Sequence, residues 1–221
     1  MRSFDAIFDI AADRKGGTAI LETLLERPKT PADIRQIPDD HWLAAMARGV
    51  FQAGFSWKVI DAKWPGFETA FQGFDPAPVA FYHDEDIDRL ISDKGIVRHG
   101  PKIQSVIENA RFVMDIANEH GSFGAFVAEW PDDDFVGLTS VLKKRGSRLG
   151  GNTGPYMLRS MGVDSFILSR DVVGRLVAEG VIDKTPTSQK ALKATQAAFN
   201  TWRSQSGRSL TEISRVLAMS L

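Results

Sequence analysis

The sequence predicts an all-α protein. Three observations carry that reading: apolar residues recur at three- and four-residue intervals, strict two-residue alternation is missing, and prolines stand where helices should begin. Taken in chain order, Leu43–Val50, Phe55–Ala62 and Asp84–Ser92 read as short helices. The longest runs from Pro101 to His120, where Ile103, Val106, Ile107, Ala110, Val113 and Ala117 make one apolar stripe. Val136–Leu142 and Pro155–Met161 follow as a pair around a glycine-rich turn, then Asp171–Glu179 and Ser188–Trp202. Ser209-Leu210-Thr211-Glu212 has the form of a capping box and opens the last helix. Pro65, Pro76, Pro155 and Pro186 are expected at helix starts.

At 221 residues the chain has room for one domain, or for two small lobes around a shared cleft. Its 43% hydrophobic and 25% charged residues are ordinary for a water-soluble globular protein. There is no cysteine, which excludes disulfides, thiolate zinc sites and a cysteine nucleophile. The histidines, His41, His83, His99 and His120, are scattered and form no HExxH pair. No apolar run reaches 18 residues, and the first residues carry Asp5, Asp9 and Asp13 where a signal peptide needs basic charge. A cytoplasmic protein without membrane contact is expected.

Charge is unevenly spread. The net charge is −1, yet residues 135–163 carry +5 with no acid, against −9 for residues 1–134 and +3 for residues 164–221. A local positive field of this kind suits an anionic partner such as a phosphate backbone. Lys143, Lys144, Arg145 and Arg148 precede Leu149-Gly150-Gly151-Asn152-Thr153-Gly154, and Pro155 then opens a helix. Backbone amides of Gly151, Asn152, Thr153 and Gly154 at a helix N-terminus, flanked by those four cations, could clamp phosphate. The same pattern also fits a plain helix–Gly–helix turn with solvated cations. The C-terminal stretch Lys184–Leu221, with six basic residues and one acid, could join a DNA-facing surface or simply cover the core.

A second segment, Phe51-Gln52-Ala53-Gly54-Phe55-Ser56-Trp57, combines three large aromatic rings with an amide side chain. Gln52 can both donate and accept along a base edge. Phe51, Phe55 and Trp57 can stack on a base or wedge between bases, and they can equally be core residues. Arg98, His99 and Lys102, near the start of the long helix, are open to two readings: phosphate contacts, or, for Arg98, pairing with the acidic Asp84–Asp88 run.

These motifs resemble the 3-methyladenine DNA glycosylase I family, of the helix-hairpin-helix DNA glycosylase superfamily. The resemblance runs from Phe51 to Ala110 and more loosely to Gly162. The family's QAGLSW is similar to Gln52–Trp57, its FDPxxVA to Phe74–Ala80, and its DVxRL to Asp86–Leu90. Its GIIRHxxKIxAxxxNA resembles the run from Gly95 to Ala110. The chain departs from the family in three ways. It lacks cysteines for the family's zinc site, so no metal or other cofactor is expected. The N-terminal YHDxEWG segment has no counterpart. Gly49 stands where the family has the glutamate of LEGQQAGLSW, eight residues before the tryptophan.

The resemblance implies a helix-hairpin-helix glycosylase-like domain, hairpin at about 142–162, with helical lobes around a DNA-facing cleft, and the break after Gly180 (VIDKTPTSQK) bounds it at residues 1–183. Residues 184–221 would be a helical extension packed on it. It further implies a monofunctional glycosylase of base-excision repair, acting as a monomer on double-stranded DNA that contains alkylated purines. Gln52, Trp57, Phe51 and Tyr156 would form the base pocket and Phe55 the wedge. Lys143, Lys144, Arg145, Arg148 and Gly151–Gly154 would hold the backbone. For a catalytic acid, the superfamily pattern VDTHVxRV aligns with Leu168–Leu176; counting back from Arg175 gives Arg170, and Asp171 serves if the register slips by one. Asp164 is a weaker candidate, more simply a cap. The competing expectation is a non-catalytic DNA- or damage-binding module of the same fold.

Overall fold

Capping side chains begin helix after helix. Ser3, Thr30, Asp75, His99, Ser122, Ser169, Ser188 and Ser209 each accept a backbone N–H of the first turn that follows. The computed structural model describes residues 1–221 and contains helices and no strand. In order these are α1 (Phe4–Lys15), α2 (Thr18–Thr23), α3 (Pro31–Arg35), α4 (Asp39–Gln52), α5 (Trp57–Ala70), α6 (Pro76–Ala80) and α7 (Asp84–Ser92). They continue with α8 (Gly100–His120), α9 (Phe123–Ala128), α10 (Phe135–Arg145), α11 (Thr153–Ser160), α12 (Arg170–Ala178), α13 (Gln189–Ser206) and α14 (Leu210–Met219). No helix is long and apolar enough to cross a membrane.

The capping box at Ser209 forms as its spacing predicts: Glu212 N–H donates to Ser209 Oγ at 3.2 Å, and Ser209 N–H to Glu212 Oε2 at 3.0 Å. Pro65 departs from expectation and lies inside α5 rather than at its start. The hydrogen bond it cannot make would go to the carbonyl of Asp61, an exposed residue, where water can substitute. Residues 4–15 also form a helix that periodicity did not single out. Its buried face ends in Ala11 and Ala12, whose small side chains leave a weak apolar signal.

The chain forms two compact units. The central unit comprises Thr30–Trp130 and Leu138–Met161; the flanking unit comprises Met1–Lys29, Pro131–Gly137 and Gly162–Leu221. Residues 184–221 therefore belong with residues 1–29 and 162–183.

In the central unit α8 is the axis. Ile103, Val106, Ile107, Ala110, Val113 and Ile116 are buried, and α4, α6, α7 and α9 pack on it. An aromatic file backs α4 and α5: Trp64 stacks on Phe67 and Phe74, and Phe71 on Phe74 and Tyr82. The guanidinium of Arg48 covers the outer Trp64 ring at 4.3 Å.

In the flanking unit Phe135, Phe166, Phe199 and Trp202 pack ring against ring. Asp164 is a cap: it accepts the N–H groups of Leu210 and Thr211, the first two residues of α14, at 3.0 and 2.8 Å. Arg175, Glu179 and Ser220 are buried together. Glu179 accepts from Arg2 Nη1 at 2.6 Å and Arg175 Nη1 at 3.3 Å, and Arg175 Nε donates to Ser220 Oγ at 2.8 Å.

Candidate nucleic-acid interface

The aromatic segment begins where α4 ends. A helix C-terminus leaves carbonyls without partners, and here a buried lysine takes them. Lys102 Nζ donates to the carbonyls of Val50 at 2.8 Å, Phe51 at 3.3 Å and Ala53. The backbone then turns through Gly54, at φ 80°, and Phe55 N–H bonds to Gln52 carbonyl at 3.3 Å. This turn brings Phe55 and Trp57 to the surface, 38% and 57% exposed.

Trp57, the first residue of α5, meets Tyr156 of α11 edge-to-face, with centroids 6.4 Å apart at 84°. Tyr156 is itself 43% exposed. Phe55 stands edge-on to His99 at 6.2 Å, with Lys102 Nζ 4.6 Å from its ring centre. Gln52 is half-buried at the last turn of α4. Phe51 does not belong to this group. It is fully buried and edge-on to Phe67 at 4.6 Å, so no ring face is available to a base.

The glycine hairpin is equally well determined. Gly146 N–H closes α10 on Leu142 carbonyl at 3.0 Å. The buried amide of Asn109 then grips Ser147, accepting its N–H at 2.7 Å and donating to its carbonyl at 3.0 Å. Arg148 sits in the left-handed region at φ 59°, a conformation costly for a residue with a side chain. Gly151 also has φ 61°, which glycine adopts freely. Gly154 is needed for a different reason: a Cβ there would lie 2.6 Å from the Leu149 carbonyl oxygen.

Among the backbone-binding candidates, Lys143, Lys144, Arg148, Gly151 and Asn152 are exposed around this tip. Thr153 and Gly154 have already used their amides, on Gly150 and Leu149 carbonyls at 3.3 and 3.2 Å, and Gly154 is buried. Arg145 is also committed. Its guanidinium makes a two-pronged pair with Glu119 at 2.9 and 2.7 Å, whose hydrogen bonds hold that carboxyl below its ordinary range. Asp171 is exposed in the first turn of α12, in the flanking unit, whereas the aromatic segment and the hairpin are in the central one.

Gly49 faces α11. A Cβ there would touch Thr153 Cγ2 at 3.5 Å and Met157 Cβ at 3.7 Å, ordinary contact distances. Of the cations near the start of α8, Lys102 is buried and His99 is the N-cap, accepting Lys102 N–H at 3.3 Å. The acidic run is served from within α7 and its cap, Asp86 pairing with Arg89 at 3.3 Å and lying 3.7 Å from His83. Sequence reading passed over Asn109. Its trace was there: Lys102, Val106, Asn109 and Val113 fall on one face of α8, so two polar residues interrupt an apolar stripe. No three His, Asp or Glu side chains converge to hold a metal, so the zinc carried by the resemblance finds no ligand set here.

The central unit is thus all-helical, with two helices flanking a cation-bordered glycine turn and an exposed aromatic pair. The sequence profile of the methyladenine glycosylase family matches residues 36–145. DNA-3-methyladenine glycosylase 1 of Escherichia coli is 34% identical over 120 residues, 46% of this chain and 64% of that protein. The Haemophilus influenzae DNA-3-methyladenine glycosylase is 29% identical over 51% of this chain and 71% of its own. Among solved structures, a 3-methyladenine DNA glycosylase I superimposes with a TM-score of 0.51 at 27% identity, covering 62% of this chain and 82% of that one. The Staphylococcus aureus enzyme gives 0.50 at 26% identity, covering 57% and 77%. The chain belongs to the 3-methyladenine DNA glycosylase I family. It spans less than two thirds of the E. coli relative, and the family profile ends at Arg145, before the hairpin tip.

Proposed function

We propose that the protein is a monofunctional DNA glycosylase of base-excision repair, releasing alkylated purines such as 3-methyladenine from double-stranded DNA. The observation that carries this reading is the exposed Trp57–Tyr156 pair, with Phe55 on the adjoining turn, in the unit that also presents the Lys143, Lys144 and Arg148 hairpin. The hairpin would hold phosphates, Phe55 would enter the stack, and the flipped base would rest on Trp57 with Gln52 at its edge. An N3-alkylated adenine is cationic. When the C1′–N bond breaks, the bonding electrons neutralise the base, water adds its oxygen to C1′, and one proton is released. Such a leaving group needs little protonation, which suits a pocket with Gly49 where the family has its glutamate.

Incubation with methylated genomic DNA and chromatography of the freed bases tests this. Wild-type protein should release 3-methyladenine. Loss of one stacking platform, worth about 1–3 kcal/mol, should slow release by Trp57→Ala about 5- to 150-fold. Salt-sensitive DNA binding with no base released would make the protein a binding module instead.

A further inference from the structure

Lys102 is the one buried lysine in the central unit, and nothing in the glycosylase reading requires it there. Burying an ammonium is costly unless its donors are met. All three have acceptors: the carbonyls of Val50, Phe51 and Ala53. Burial, and then the charge of Arg148, pull its pKa down. The acceptors belong to the end of α4 and the first residue of the turn that presents Phe55 and Trp57. The ammonium also lies 4.6 Å from the Phe55 ring centre. Seven residues further along α8, Asn109 grips Ser147 of the hairpin through both the oxygen and the nitrogen of its side-chain amide. Two helical turns, a rise of about 10 Å, separate the two attachments.

We propose that Lys102 is a positioning residue, which with Asn109 makes α8 the ruler that sets the Phe55–Trp57 turn at a fixed distance from the phosphate-gripping hairpin. This rests on the glycosylase reading for its purpose, while the anchoring itself is measurable without DNA. Without the ammonium, three carbonyls at a helix C-terminus lose their partner and Phe55 loses the cation beneath its ring. The hairpin keeps Asn109. DNA grip and base extrusion should therefore separate.

The test compares wild-type protein with Lys102→Met and with Lys102→Gln, which keeps two donors and so guards against a misfolded methionine variant. Hydrogen exchange on the free proteins should show amides 53–59 exchanging at least tenfold faster in either variant, with the hairpin and α13–α14 unchanged. On alkylated DNA, affinity should stay within about threefold of wild type while single-turnover base release falls about 10- to 100-fold. Unchanged exchange at 53–59, or exchange raised evenly through the unit with affinity and release falling together, overturns the proposal. Wild-type protein that releases no base would refute the glycosylase reading alone, because the exchange result still decides what Lys102 holds.

Discussion

Gly49 sits in the third turn of α4 with Thr153 and Met157 against it. Glycine within a helix is worth roughly 0.5–1 kcal/mol less than alanine, and a Cβ fits here at ordinary contact distance. Gly49→Ala should therefore raise the melting temperature by about 1–4 °C, read by calorimetry. Gly49→Glu is different, because the chain beyond Cβ must displace Thr153 and Met157. It should cost about 1–3 kcal/mol and bring no gain in 3-methyladenine release. A gain in release would show that a carboxylate can still occupy the pocket. Position 49 is thus packed against α11.

At the scale of elements, α10, the hairpin and α11 work as one device whose parts are held from below. Gly154 is inside it, where a Cβ would lie only 2.6 Å from the Leu149 carbonyl oxygen. Gly154→Ala must shift that backbone, and we expect a loss of about 1–3 kcal/mol in stability together with weaker DNA binding. Unaltered thermal unfolding and affinity in this variant would mean the hairpin yields easily. The cations divide by use. Because Arg145 is tied to Glu119, the exposed Lys143 and Lys144 are the cations of α10 left for the phosphate contacts we propose. Replacing both with alanine should flatten the plot of log affinity against log salt by about 1.8, at about 0.9 per phosphate. Arg145→Ala should leave that slope nearly unchanged.

On the scale of the whole molecule, the two ends of the chain are joined within the flanking unit. Arg175, Glu179 and Ser220 form one buried polar network, which the exposed Arg2 joins from the surface through Glu179. Burial by itself would raise the Glu179 carboxyl, but the backbone N–H and guanidinium of Arg2, with Arg175, bring it below its ordinary 4.5. A depressed carboxyl contributes stability that is complete above the unfolded-state pKa and is lost as pH falls through the folded one. The unit should hold its melting temperature from neutrality down to about pH 5 and lose it progressively below about 4.5. Glu179→Gln leaves Arg175 buried without its counter-charge, so it should destabilise at pH 7 by about 3–5 kcal/mol and remove that acid limb. Thermal unfolding at stepped pH measures both.

Sequence alone determined the helical class, the long α8 and its stripe, the capping box at Ser209 and the membership of a glycosylase family. All of these are local in sequence or collinear along it. Periodicity reads from neighbours three and four apart, and motifs read from spacing. What only the tertiary structure decided is which side chains remain free to act. Phe51 and Trp57 lie six residues apart in one motif, yet one fills the core and the other is exposed. Lys102 and Arg145 look like neighbouring cations of a DNA surface, but one caps α4 and the other pairs with Glu119. Their partners are about 50 and 26 residues away in sequence, respectively. A side chain's chemistry depends on what folding brings beside it, and no local pattern carries that information.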